Sequence, residues 1–96
     1  MADFKLNKAA EEDLEHIYEY GIISFGLKQA DDYYDGLIDH FHKLADNPYL
    51  WQTVDSIRAG YRRSIYTGES VYYRIDGETV EIMRILGSQD VTKEIE

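Results

Sequence analysis

Residues 30–45 place apolar side chains at Ala30, Tyr34, Leu37, Ile38, Phe41, Leu44 and Ala45. The steps between them are 4, 3, 1, 3, 3 and 1, a spacing that only a helix gathers onto one face. Asn47-Pro48 ends the pattern, because proline disfavours the helical conformation in the residue before it. A stripe of this kind demands a second apolar surface to cover it.

The segments on either side supply that surface. Asp3-Phe4-Lys5-Leu6 alternates polar and apolar, the period of a half-buried strand. Asn7 is placed to cap a helix, with Glu11, Glu12 and Asp13 in the early turns, where the helix dipole favours negative charge. Ala10, Leu14, Ile17, Gly21 and Phe25 then form a helical stripe, and Gly26 allows a tight reversal. Two helices joined so closely lie antiparallel.

After Pro48 the period changes. Residues 49–60 follow neither pattern and read as a loop closed by Gly60. Three strands are expected, at 62–66, 71–75 and 79–86, separated by turns at Thr67-Gly68 and Asp76-Gly77 and ended by Gly87-Ser88. The expectation is one α+β domain over residues 1–96, in the order β-α-α-β-β-β. Its sheet is mainly antiparallel and carries the helical hairpin on one face.

Composition narrows the chemistry. The chain has 96 residues and no cysteine, which excludes disulfides and thiolate chemistry. No apolar run reaches the length of a membrane span and no secretory signal is visible, so a cytoplasmic location is expected. The formal charge is −9, which opposes non-specific binding to a phosphate backbone. That charge is uneven: residues 1–50 are net −7 and residues 51–96 net −2. Residues 56–75 hold Arg58, Arg62, Arg63 and Arg74 against Glu69 alone, so a local positive patch is expected on an acidic protein.

Most of the remaining polar residues read as surface. His40 and His42 stand about 200° apart around a helix and cannot share a metal; Glu12 and His16 are spaced to do so, but ordinary surface histidines are favoured. Asp31, Asp35 and Asp39 form a row flanked by Lys28 and Lys43, as on a solvated acidic face. No serine sits in a nucleophile elbow and no glycine-rich phosphate loop occurs. The pairs Tyr33-Tyr34 and Tyr72-Tyr73 are each expected to send one ring into the core and one to the surface. Arg84 lies inside the apolar run Ile82-Met83-Arg84-Ile85-Leu86. Two readings stand for it: a salt bridge to a helix carboxylate, or a place on a concave functional surface with Arg62 or Arg63. These last two point to opposite faces of their strand.

Six short blocks, in order over residues 4–90, resemble the ParE-type toxins of the RelE/ParE superfamily. Asn7–Tyr18 resembles their A-x-x-D-L-x-x-I opening, and Phe25-Gly26-Leu27-Lys28-Gln29-Ala30 their W/F-G-x-x-Q-A junction. Leu44-Ala45-Asp46-Asn47-Pro48 is similar to L-A-E-N-P, and Ile57–Arg63 to I/L-R-x-G-Y/L-R. Val71–Ile75 and Ile82–Leu86 resemble V-I-F-Y-R and I-x-R-I/V-L. Two positions depart from the pattern. Gly87 stands where most ParE sequences have His, and a glycine usual after N-P is missing, with Trp51 in that region.

The resemblance implies the toxin of a bacterial toxin–antitoxin pair, held by a ParD-like antitoxin in a hetero-oligomer. Operator DNA would be bound only through the antitoxin. Studied ParE toxins act on DNA gyrase without catalysis, while RelE-like relatives cut messenger RNA on the ribosome. Replacement of the usual His by Gly87 removes a candidate acid or base, which argues against ribonuclease chemistry and leaves a non-toxic, antitoxin-binding relative as a further alternative. No catalytic residue, metal or cofactor is expected. Arg58, Arg62, Arg63 and Arg84 are the candidates for target binding, and Tyr18, Ile22, Tyr33, Tyr72 and Tyr73 for the antitoxin.

Overall fold

The computed structural model describes residues 3–87; Ser88, expected to help end the last strand, lies outside them. The elements are β1 (Asp3–Leu6), α1 (Lys8–Phe25), α2 (Leu27–Asp46), β2 (Arg62–Tyr66), β3 (Glu69–Asp76) and β4 (Thr79–Gly87). This is the order expected from the sequence. The sheet runs β1-β4-β3-β2. Its β2–β3 and β3–β4 pairs are antiparallel, whereas β1 lies parallel to β4, so the sheet is mixed.

Local chemistry sets the helix ends. The Asn7 side chain accepts from the Ala10 N–H at 2.9 Å and caps α1. Gly26 alone separates the two helices, at φ 92° and ψ 162°, a conformation open essentially only to glycine. Leu37, Phe41, Leu44 and Ala45 of α2, with Ala10 and Leu14 of α1, meet Val71, Tyr73, Val80, Ile82 and Ile85 of the sheet in the main core. Each fully buried large side chain there contributes about 1.5–3 kcal/mol.

Two contacts seat α2 on the edge strand β2. Gly36 lies against the Tyr66 hydroxyl so closely that a Cβ would collide with it. One turn on, the His40 ring is hydrogen-bonded through Nε2 to the buried Ser64 hydroxyl at 2.9 Å. His40 is therefore not the ordinary surface histidine expected from its spacing, because the helix turns it toward the sheet.

The pairing of β3 with β4 shifts register between Tyr72 and Tyr73: Tyr72 lies opposite Arg84 and Tyr73 opposite Ile82, leaving Met83 as an extra residue. Strict alternation would align Ile82 with Arg84 and Leu86. The bulge instead lets Ile85 follow Val80 and Ile82 into the helix-side core and sends Leu86 to the other face.

That other face is covered as well. The segment after Pro48 folds back on itself, with Val54 N–H donating to the Tyr61 carbonyl at 2.8 Å and Arg63 N–H to the Gln52 carbonyl at 3.1 Å. It lays Val54, Ile57 and Tyr61 over Tyr72 and Leu86 as a second, smaller core. Tyr72 and Tyr73 are consequently both fully buried, one on each side of the sheet. The expectation of one surface ring in this pair is corrected: neither ring is available to an antitoxin, because residues 49–61 shield the face that alternation alone would expose.

Candidate functional site

The candidate arginines fall into distinct environments. Arg62 lies opposite Tyr73 and Arg63 opposite Tyr72, so the two occupy opposite faces of β2. Arg62 donates from Nη1 to the Trp51 carbonyl at 2.6 Å and its guanidinium sits 5.1 Å from the Tyr49 ring centroid, so it clasps the segment after α2. Arg63 is exposed on the outer face. Arg58 is exposed too and packs 5.9 Å from the ring of Tyr61, which belongs to the outer core. Arg74 is bound to Glu81 at 2.6 Å.

Arg84 does not join this group. Its guanidinium makes a two-pronged contact with Asp13 of α1, Nε at 2.7 Å and Nη2 at 2.9 Å. Of the two readings open from the sequence, the salt bridge to a helix carboxylate is the one found.

The aromatic candidates on the hairpin are also separated. The Tyr18 hydroxyl donates to Asp31 at 2.5 Å and its ring packs edge-on against Tyr34 at 5.6 Å. Ile22 is 36 % exposed. Tyr33 packs against Tyr66 at 5.3 Å, at the margin of an apolar cleft that also includes Ile17 and Glu69. One ring of the Tyr33-Tyr34 pair turns in, as expected, but it is Tyr33 that packs against the core and Tyr34 that is exposed, the reverse of the placement of Tyr34 in the apolar stripe.

Sequence reasoning missed the tip of the hairpin, where Tyr20, Ile23, Phe25 and Leu27 are strongly exposed. A signal was present: residues 20–27 hold no charged group in a chain that is 30% charged. Tyr49, Leu50 and Ile65, exposed apolar residues near Arg62 and Arg63, were missed as well.

Burial and charge shift several groups. Loss of water around His40, and the neighbouring Lys43, hold its imidazole below the usual histidine range. Burial pushes the Tyr73 hydroxyl up to about 12, with Arg62 opposing. Burial, helped by the Asp13 charge, raises the Glu69 carboxyl. Among the described residues no group of histidines and carboxylates is arranged to hold a metal, and no helix is long and apolar enough to cross a membrane.

A family model described as "ParE toxin of type II toxin-antitoxin system, parDE" matches residues 4–91. The chain belongs to the ParE toxin family. Among relatives of this ParE chain, Toxin ParE1 of Caulobacter vibrioides is 36% identical over 86 residues, covering 90% of this chain and 88% of the relative. Toxin ParE1 of Mycobacterium tuberculosis is 32% identical over 84 residues, covering 86% of each. A chain from the chromosomal ParDE system of P. aeruginosa shares the fold at TM-score 0.79 and 21% identity, over 93% of this chain and 98% of that one. A chain from the RelBE2 toxin–antitoxin complex of Mycobacterium tuberculosis does so at TM-score 0.66 and 20% identity, over 91% and 98%. The ParE chain presents Gly87 exposed at the end of β4, opposite Glu69.

Proposed function

We propose that this ParE toxin arrests growth in the cytoplasm by binding DNA gyrase, without catalysing a reaction, and is neutralised by a ParD-like antitoxin that also makes the contacts to operator DNA. The observation that carries the reading is the placement of Arg58 and Arg63 on the outer side of the sheet of a chain with net charge −9. A gyrase–DNA complex is strongly anionic, and an acidic protein needs a local positive surface to approach it.

The same geometry favours a binding role over RNA cleavage. Guanidinium groups stay protonated and do not shuttle protons. His40, whose ring packs against Trp51 beside Arg62, is engaged with buried Ser64. Arg62 and Arg84 serve the fold through Trp51 and Asp13, which shifts the expected weight of target binding to the exposed Arg63.

Purified chain added to gyrase and supercoiled DNA should accumulate cleaved DNA. Arg63→Ala should abolish that effect and growth arrest, while keeping the fold and antitoxin binding. Ribosome-dependent cleavage of messenger RNA by the wild-type chain would overturn the proposal. Antitoxin binding without any growth arrest would identify a non-toxic relative.

A further inference from the structure

The segment over the outer face of the sheet stops short of the end of β2. Its Val54, Ile57 and Tyr61 cover Tyr72 and Leu86. Ile65 lies two residues beyond Arg63, on the same outer face, and is 53% exposed. β2 is the end strand of the sheet. Soluble chains usually blunt such an edge with charge or proline, whereas here it carries a β-branched apolar residue. Leu50 is 72% exposed and lines one recess with Ile65, Trp51 and Val54. Among the described residues lining that recess, Arg63 is the charged one. Apolar side chains around a single guanidinium have the composition of the centre of a protein interface.

The charges are sorted between the two sides of the sheet. Residues 8–46, the helical layer, hold 10 acidic against 3 basic groups and are net −7. Residues 47–87 hold 5 of each and are neutral. An acidic partner is therefore repelled from the helices and meets the opposite, outer side, where Arg63 is exposed.

Three occupants are separated by this chemistry. A DNA backbone calls for several cations, and aliphatic side chains offer its phosphates nothing. A second copy of this chain, docked by the same patch about a two-fold axis, would set Arg63 against its own counterpart. A protein surface with an apolar side chain beside a carboxylate satisfies both parts of the patch. We infer that the outer edge of β2 seats a protein surface of gyrase, with an apolar side chain beside Leu50 and Ile65 and a carboxylate on Arg63, and that it does not seat the DNA that gyrase holds. This rests on the gyrase reading above and adds the surface and the chemistry of its partner.

The test measures binding of the full chain to purified gyrase, with and without DNA, across a range of salt concentrations. Wild-type chain should bind DNA-free gyrase. Leu50→Ser and Ile65→Thr should each weaken that binding about 5-fold or more, since each removes apolar contact from the centre of the patch. The salt dependence should be shallow and flatten in Arg63→Ala, whereas a DNA contact lowers log K by about 0.9 per decade of salt for every phosphate neutralised. Antitoxin affinity should be unchanged in all three variants. Melting curves check that each is folded; Leu50 lies outside the helices and strands, so Leu50→Ser carries the test if Ile65→Thr does not fold. Binding that appears only with DNA, falls steeply with salt and ignores Leu50→Ser would make DNA the contact and overturn the inference. Gyrase binding unchanged in the variants, with antitoxin affinity lost, would make the antitoxin the occupant and overturn it as well. A wild-type chain that dimerises alone and turns monomeric as Leu50→Ser would do the same for a second copy. Wild-type chain that binds gyrase neither with nor without DNA would remove the gyrase reading itself.

Discussion

Asp13 and Arg84 join α1 to β4 by two hydrogen bonds, and the same carboxylate accepts the Ile85 N–H at 2.9 Å. The reason lies in the sheet. β1 accompanies β4 only as far as Ile82, with the Asn7 N–H adding one more bond to the Ile82 carbonyl at 3.0 Å. Beyond that point no strand lies beside this edge of β4 among the described residues, and the Asp13 side chain stands in for one.

Removing the carboxylate leaves a guanidinium that is only 22% exposed and a backbone N–H without its acceptor. Asp13→Ala should therefore cost about 2–4 kcal/mol in urea denaturation. Arg84→Ala should lower the melting temperature and antitoxin binding together, unlike Arg63→Ala. The double variant Asp13→Ala/Arg84→Met should be less destabilised than the two single effects added, because each single variant already breaks the same pair of hydrogen bonds. Additive losses would show that the pair is not coupled.

Adjacent tyrosines provide a second test. The Tyr73 hydroxyl donates to the Pro48 carbonyl at 2.7 Å, tying the end of α2 to the sheet. The Tyr72 hydroxyl is buried without a partner among the described residues. Tyr73→Phe should lose about 1 kcal/mol, and Tyr72→Phe should be neutral or gain up to about 1 kcal/mol. Equal losses from both would contradict this difference.

His40 makes stability depend on pH. Its imidazole titrates below the ordinary value of 6.5 because burial opposes the charged form. Between that value and the lower folded-state pKa, the unfolded chain binds more protons, so stability rises with pH. The contribution is full above 6.5 and is lost as pH falls through the folded-state value. His40→Gln, which can keep a hydrogen bond to Ser64, should flatten the profile of unfolding free energy below the ordinary histidine value of 6.5. A profile unchanged from wild type would show that His40 does not carry it.

The order of the elements was legible in the sequence because each announces itself locally. Helical spacing from Ala30 to Ala45, the Asn7 cap, Gly26 between helices and Asp76-Gly77 between strands are all decided by neighbours a few residues apart. The charge imbalance and the Arg-rich segment 58–63 were equally open to inspection.

What each arginine and tyrosine does was settled only by contacts across the chain. Arg84 meets Asp13 across 71 positions, and His40 meets Ser64 across 24. The extra residue at Met83 shifts which side chains enter the core, and nothing in the run from Ile82 to Leu86 marks where that shift falls. Tyr72 is buried because a segment without either regular period folds over the outer face. A periodic pattern records which face of an element is apolar. It does not record what lies against that face, since burial is a property of two surfaces brought together in space.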